Sequence, residues 1–319
     1  MPRVDSDLKL DFKDVLFRPK RSSLRSRSEV PSRTFTFRNS KQTYTGIPNH
    51  RRNYGHHGTF EMARVLSKHT LFTAIHKHLH YRGMENFSLT RSPIPVPVYV
   101  CSQHLAVSSG SGQADLEKLC QIVEAVPSLK YICLDVANGY SEYFVEFVKT
   151  VRGKFPQHTI MVREEMVEEL ILSGADIIKV GIGPGSVCTT RIKTGVGYPQ
   201  LSAVIECADS AHGLKGHIIS VNCSDPIHVS VRPPGAGADF CTGEVIERDG
   251  KKVQDVLRHE LRHRHEEIRR GVAEYRASEG RTVEVAYRGD VEHTVLDLKE
   301  LSRRTTFIRV TQQSSHMFG

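Results

Sequence analysis

The 319-residue sequence has no Cys-x-x-Cys pair, although it contains seven cysteines. An odd number of widely spaced cysteines argues against both a disulfide framework and a zinc ribbon. Apolar runs are also short: the longest candidate, 93–100, contains three prolines, whereas a membrane-spanning helix needs ~20 apolar residues. Asp5, Asp7, Asp11 and Asp14 interrupt an Arg- and Ser-rich start, which a mitochondrial transit peptide would avoid. These absences predict a cytosolic protein without a targeting segment.

The composition is that of a globular protein. Hydrophobic residues make up 39% of the chain and charged residues 25%, which excludes wholesale disorder, collagen and coiled coil. Forty-four Lys and Arg against 36 Asp and Glu give a net charge of +8, which favours anionic ligands such as nucleotides, phosphates or nucleic acid. The length suits one large α/β barrel or two ordinary domains.

Helical and strand patterns alternate along the middle of the chain. A helix that ends near Ser173-Gly174 is followed by Ala175-Asp176 and the apolar run 177–181, and the pattern Ala-Asp plus apolar residues returns at 235–240. Between these copies we predict a helix over 201–212 and a strand over 217–220, and upstream a helix over 116–125 before a strand at 131–136. Such alternation predicts a parallel sheet.

A doubly wound dinucleotide-binding fold is expected to carry G-x-G-x-x-G after its first strand, and this sequence has no such fingerprint there. Candidate functional groups follow the ends of several strands instead, at 135–139, at 181–191 and at Lys77. Functional residues spread over many strand ends are typical of a barrel. We therefore predict one α/β domain over 1–319 with the architecture of a (β/α)₈ TIM barrel.

The loop 181–191, GIGPGSVCTTR, is too rich in Gly and Pro to continue as regular structure. Its glycines allow backbone amides to approach a phosphate, or backbone carbonyls to approach a monovalent cation. Cys188, beside Arg191, is a candidate thiolate nucleophile. The alternative is that a Gly-rich turn carries an inert small residue.

This loop, followed by TGVGYPQ at 194–200, resembles the catalytic loop shared by IMP dehydrogenases and GMP reductases. The resemblance extends over 8–48, 58–78, 105–161, 165–220, 243–250 and 271–307. YRASEG at 275–280, and the lack of room for an inserted regulatory domain, favour the GMP reductase branch over the IMP dehydrogenase-type alternative. The resemblance implies reductive deamination of GMP to IMP and ammonia with NADPH, in purine nucleotide salvage.

The resemblance also implies roles for particular residues. Cys188 would attack the purine and form a thioimidate, while Thr190 and Glu279 would move protons. Positions that match the family's NADPH contacts are Ser26, Arg27, Lys77, Asp135, Val136, Ala137, Ile182, Gly183, Tyr275 and Arg276. Positions that match its nucleotide contacts are Arg276, Ala277, Ser278, Glu279 and Gly280. A potassium ion would be held at Gly183, Gly185, Cys188 and Arg191, and the family implies a homotetramer.

Several stretches depart from the family pattern. NHRRNYGHH at 49–57 stands where the family has an apolar strand. We therefore expect a barrel strand to be missing and the TIM barrel to be incomplete or distorted. The stretch 79–104 is Pro-rich, 221–234 lacks an Asp-Gly-Gly loop that grips ribose and phosphate, and a second phosphate loop is absent after Phe240. Residues 162–164 replace a longer segment of the family. Residues 251–270 are densely charged, which we interpret as a helix, and they stand where the family has a flap. The borders between the stretches that match the family and those that do not are sharp. Our hypothesis is that altered exon usage or a faulty gene model produced them.

Functions of other classes stay open at this point. His259, Glu260 and His263 match H-E-x-x-H, the pattern of a zinc peptidase, although the surrounding arginines disfavour a dication and a solvated helix explains them. The same basic helix is compatible with nucleic-acid binding. A catalytically inactive subunit that joins intact tetramers is a further alternative.

Overall fold

The computed structural model describes residues 7–16, 18, 21, 25–26, 29, 33–46, 50–51, 60–77, 103–136, 138–184, 189–220, 245–256 and 283–286. Seven parallel strands form its main sheet. They are β3 (His50–Arg51), β4 (Phe72–Ile75), β5 (Leu105–Ser109), β6 (Tyr131–Leu134), β7 (Thr159–Arg163), β8 (Ile177–Val180) and β9 (His217–Ser220).

Six α-helices and a short 3₁₀ helix (Phe12–Asp14) are described, and most of the α-helices connect these strands. They are α1 (Phe60–Lys68), α2 (Gln113–Ala125), α3 (Glu142–Lys154), α4 (Val167–Leu172), α5 (Thr190–Thr194) and α6 (Gln200–Gly213). The main sheet is preceded by an antiparallel hairpin of β1 (Arg33–Thr36) and β2 (Thr43–Gly46). It is followed by an antiparallel sheet of β10 (Val245–Arg248), β11 (Lys251–Val256) and β12 (Val283–Ala286).

The seven strands lie in chain order, β3 to β9, and every neighbouring pair is parallel. A doubly wound sheet would reverse its order at a switch point, whereas a barrel keeps chain order. The predicted parallel sheet is confirmed, and so is the α/β barrel class. The predicted helix over 201–212 and the strand over 217–220 are also confirmed.

Side chains on the two faces of the sheet form separate clusters, because successive residues of a strand point to opposite sides. In β6, Ile132 and Leu134 belong to a large cluster that includes the buried faces of α2, α3 and α4. Tyr131 and Cys133 belong to a smaller cluster on the inner face. The helices thus cover one face, and the other face is the barrel interior.

The hairpin packs at the end of the sheet where the strands begin. The ring of Phe37 meets Tyr131 edge-on, and Tyr44 meets Phe72 in the same way. Both partners are first residues of their strands. The starting ends of the strands are therefore closed by aromatic packing, and the opposite ends remain for functional groups.

Two predictions need correction. The stretch 49–57 does not lose its strand altogether, because His50 and Arg51 pair in parallel with Phe72 and Thr73; this pairing needs only backbone groups, so polar side chains do not prevent it. The start of the predicted helix over 251–270 is wrong: Lys251–Val256 is a strand. Asp249 and Gly250 have φ of 51° and 71°, the positive angles of a two-residue hairpin turn, which returns the chain antiparallel to β10.

Candidate functional site

Lys77 and Asp135 meet beyond the ends of two strands, β4 and β6, which are separated by β5 in the main sheet. Lys77 follows β4, Asp135 follows β6, and the Lys77 ammonium donates to the Asp135 carbonyl oxygen at 2.9 Å. The Asp135 N–H donates to the Ser109 carbonyl at 2.8 Å, and the Lys118 ammonium donates to the Lys77 carbonyl at 2.7 Å. The Asp135 side chain is 8% exposed. Two residues predicted for cofactor binding are thus brought together at one edge of the barrel.

The described flanks of the loop after β8 have the backbone conformation that glycine permits. Gly181 has φ of 140° and Gly183 has φ of 61°, values that residues with a Cβ rarely adopt. The Arg191 guanidinium donates from Nε to the Ile182 carbonyl at 3.2 Å and from Nη2 to the Tyr198 carbonyl. Arg191 therefore ties the outgoing flank of the loop to the incoming one.

Thr190 and Arg191 are the first residues of α5. The Thr190 carbonyl accepts from the Thr194 hydroxyl at 2.7 Å. Asp11, from the N-terminal segment, lies 3.7 Å from the Arg191 guanidinium and accepts from the Gln200 N–H at the start of α6. The N-terminal segment thus fixes the helix that follows the loop.

Of the remaining predicted site residues, Ser26 and Val136 lie within the described part of the chain and the others do not. Ser26 lies on an exposed stretch and its carbonyl accepts from the Glu29 N–H at 3.1 Å, and Val136 packs against the helix-facing cluster. Arg27, Ala137, Gly185, Cys188, Tyr275, Arg276, Ala277, Ser278, Glu279 and Gly280 lie outside the described residues, as do His259, Glu260 and His263.

Three polar residues inside or beside the barrel were missed by the sequence analysis. Arg163 and Lys179 are register partners at the ends of β7 and β8, and Glu164 follows β7 directly. Lys179 is 1% exposed and Glu164 is 5% exposed. The signal for Lys179 was a charge within the apolar strand IIKV; the signal for Glu164 was its place immediately after a strand.

Lys179 and Cys133 form a buried pair on the inner face. The ammonium lies 3.6 Å from the thiol sulfur. Burial raises the pKa of the Cys133 thiol, and the positive charge of Lys179 opposes that rise. Cys133 is therefore a buried thiol beneath the strand ends, unlike a cysteine on an electropositive surface loop.

Among the described carboxyl groups of this region, Glu164 has the pKa that is raised most. Burial raises the pKa of the Glu164 carboxyl to about 7, while the positive charge of Arg163 and the nearby backbone of Gly139 oppose the rise. Burial also raises the pKa of its neighbour Glu165, and Arg191 opposes that shift. Carboxyl groups with raised pKa values concentrate at functional sites.

A cavity of about 960 Å³ lies between α3, α4 and α6, with Glu165, Glu206 and Cys207 in its wall. Among the described residues, none of those predicted for the site lines it. The cavity lies on the helical side, whereas Lys77 and Asp135 lie at the strand ends. We therefore place the candidate site at the strand ends.

The described residues contain neither a metal-binding cluster nor a membrane-spanning helix. Within them, no group of three His, Cys, Asp or Glu side chains could hold a metal ion. No helix among the described residues is both long enough and apolar enough to cross a bilayer.

Comparison with known proteins finds close relatives along the whole chain. Residues 9–222 match the family described as the IMP dehydrogenase / GMP reductase domain. The chain is 62% identical to GMP reductase 1 of Rattus norvegicus and 61% identical to GMP reductase 1 of Homo sapiens, each over 353 positions and all of both chains. It is 51% identical to GMP reductase of Caenorhabditis elegans over 352 positions, covering all of this chain and 96% of that protein. The chain's 319 residues are fewer than these aligned positions, so the relatives carry residues where this chain has none.

Proposed function

The chain belongs to the IMP dehydrogenase / GMP reductase family, and from that membership we propose that it is a GMP reductase. The proposal rests above all on full-length identity near 60% to proteins of that name. The reaction converts GMP and NADPH to IMP, ammonia and NADP⁺, in purine nucleotide metabolism.

Cys188 is the proposed nucleophile. Its thiolate adds to C2 of the purine, and the C2–N bond to the exocyclic amine breaks as the amine leaves as ammonia. The resulting thioimidate is then reduced at C2, and the carbon–sulfur bond breaks to release IMP and the thiolate. Thr190 and Glu279 carry protons to the departing amine, because this step needs groups that donate and accept within hydrogen-bond reach.

NADPH supplies the hydride for that reduction. The strand-end residues fit such a group: Lys77 is a cation whose ammonium is fixed by the Asp135 carbonyl, and the buried Asp135 backbone is held by Ser109. We propose NADPH contacts at Ser26, Arg27, Lys77, Asp135, Val136, Ala137, Ile182, Gly183, Tyr275 and Arg276.

We further propose a potassium site at Gly183, Gly185, Cys188 and Arg191. Its ligands would be backbone carbonyl oxygens, the donor type that hard cations prefer. The positive φ of Gly183 supports this because it turns the backbone of the loop away from strand geometry. Arg191 supports the site by tying the two flanks of the loop together.

Nucleotide binding is proposed at Arg276, Ala277, Ser278, Glu279 and Gly280, in one domain spanning 1–319. We also propose that the protein binds GMP and IMP, forms a homotetramer and resides in the cytosol. The departures from the family pattern at 221–234 and after Phe240 should mainly affect binding of the nucleotide phosphate. The two loops expected to bind that phosphate are absent from the sequence. We therefore expect weaker GMP binding than in a chain that carries both loops.

The test is turnover by the purified full chain with GMP and NADPH, followed by loss of NADPH absorbance. Intact-mass analysis after quenching should detect a purine nucleotide adduct that Cys188→Ala abolishes. Cys120→Ala is the matched control, because Cys120 is a half-buried free thiol on α2, and it should retain both signals. If a folded sample shows no turnover and forms no adduct, the proposed function is contradicted and the inactive-subunit alternative is favoured.

A further inference from the structure

The N-terminal segment 8–11 packs along the beginning of α6. The Leu10 N–H donates to the Ser202 hydroxyl at 2.9 Å, and the Ser202 N–H donates back to the Leu10 carbonyl at 3.1 Å. One turn further along the helix, the Lys9 ammonium lies 2.9 Å from the Glu206 carboxylate. The segment is therefore held at a fixed position along α6.

This packing places the carboxylate of Asp11 between two helices. One of its oxygens accepts from the N–H of Gln200, the first residue of α6, and the other lies 3.7 Å from the guanidinium of Arg191 on α5. The Asp11 N–H donates to the Asp14 carboxylate at 2.8 Å, which fixes its own backbone. A single carboxylate thus contacts both helices that follow the loop after β8.

Arg191 connects Asp11 to the incoming flank of that loop. Its Nε donates to the Ile182 carbonyl at 3.2 Å, its Nη2 donates to the Tyr198 carbonyl, and its Nη1 faces Asp11. Each nitrogen of the planar guanidinium therefore has a different partner, so the loss of one changes the orientation of the whole group. A Cβ on Gly197 would lie 2.6 Å from Arg191 Cγ, so the stem of the arginine is closely packed as well.

Gln200 connects Asp11 to the end of the strand before the loop. The Gln200 side chain is 4% exposed, and its Nε2 donates to the carbonyl of Val180 at 3.0 Å. Val180 is the last residue of β8. Asp11 thus contacts two residues that each bond to the backbone where the loop begins.

We propose that Asp11 is a positioning residue for the loop that carries Cys188, which it serves by holding Arg191 and Gln200. The inference rests on the proposed function, because that function makes Cys188 the nucleophile. Displacement of a reacting atom by about 1 Å can slow a reaction roughly a hundredfold, so the hold on the loop should act on kcat. The contact between Lys77 and Asp135 involves other strand ends, so NADPH binding should depend little on Asp11.

The experiment compares wild type, Asp11→Asn and Asp11→Ala by steady-state kinetics and by hydrogen exchange of the protein without ligands. The asparagine keeps an oxygen acceptor for the Gln200 N–H but removes the charge that faces Arg191, and the alanine removes both. We expect kcat to fall at least about tenfold in the alanine variant and less in the asparagine variant. The KM for NADPH should stay within about twofold of wild type. Backbone amides at 181–184 and 189–194 should exchange faster in both variants, whereas those of β6 should not.

Asp7→Asn is the matched control, because Asp7 is exposed four residues earlier in the chain and undergoes the same acid-to-amide change. It should keep the wild-type kcat and exchange rates. If the alanine variant fails to fold, the asparagine variant carries the test. Wild-type kcat and exchange in the folded variants would overturn the inference, and so would faster exchange spread evenly over the whole protein, which would indicate a general effect on stability. Absence of GMP turnover by the wild type would contradict the proposed function, while the exchange rates would still decide whether Asp11 holds the loop.

Discussion

The guanidinium of Arg152 lies 2.7 Å from the carboxylate of Asp176, which is fully buried. The same carboxylate accepts from the Ile160 N–H at 3.0 Å and, through its other oxygen, from the Asn39 N–H at 2.7 Å. One acidic side chain thus joins α3, β7 and the turn of the β1–β2 hairpin. Arg152 is the cation that compensates its charge.

Arg152→Ala should therefore lower the free energy of unfolding by about 3–5 kcal/mol, because it leaves an uncompensated buried carboxylate. Urea denaturation is the measurement. Lys149→Ala is the control on the same helix: its ion pair with Glu146 is exposed and should contribute less than about 1 kcal/mol. Similar losses in the two variants would show that Asp176 does not depend on Arg152.

Two glycines make a matched pair for a second prediction. Gly174 has φ of 120°, and a Cβ there would lie 2.7 Å from the Arg152 side chain. Gly174→Ala should therefore destabilise the protein by about 1–3 kcal/mol. Gly153 lies in α3, and a Cβ there meets nothing within 4 Å, so Gly153→Ala should stabilise the helix by up to about 1 kcal/mol. Thermal unfolding with shifts of equal sign for both variants would contradict this prediction.

The stability of the protein should also report the titration of Glu164. Burial raises the pKa of its carboxyl from 4.5 to about 7, so its contribution to stability is fully present below about pH 4.5 and is lost as pH rises through 7. Glu164→Gln should therefore gain stability relative to wild type as pH rises across this window. The gain is on the order of 3 kcal/mol, since one pKa unit corresponds to about 1.4 kcal/mol.

Urea denaturation at several pH values measures this difference. With Glu168→Gln, whose parent residue is exposed, the difference from wild type should be nearly constant with pH. A constant difference for Glu164→Gln as well would mean that its carboxyl titrates normally in the folded protein.

The described cysteines should differ in reactivity. Burial raises the pKa of the Cys207 thiol to about 12 and also raises that of Cys133. Both side chains are buried, whereas Cys120 is only half-buried. Because the thiolate is the reactive form, brief alkylation of the native protein near neutral pH should label Cys120 well before the other two. Peptide mass spectrometry measures the three rates, and comparable labelling of Cys133 in the native protein would contradict the prediction.

Much of the fold follows from local sequence patterns. The strand β8 was predicted from an apolar run after a Gly, and α6 from its place in the alternation of helices and strands. Both predictions depend on residues close together in the chain. Asp249-Gly250 is a hairpin signal, but it did not enter the prediction, because the dense charge of 251–270 was interpreted as helical. Charge alone does not distinguish a solvated helix from a solvated strand.

The contact between Glu164 and Gly139 could not be predicted in the same way. The two residues are brought together by the pairing of β6 with β7, and the sequence does not show that Glu164 becomes buried. Lys77 and Asp135 were predicted both from their places after strands and from their resemblance to family positions, and the structure adds the bond that joins them. Burial and long-range pairing thus account for what the sequence did not show.

The chain order of the main sheet has a consequence for synthesis on the ribosome. Each strand from β4 to β9 pairs with the strand made just before it, so each pairing can form as soon as its own segment has emerged. None of these six pairings waits for residues beyond Ser220. Residues 221–234, which depart from the family pattern, are therefore synthesised after the strands of the main sheet can already have paired.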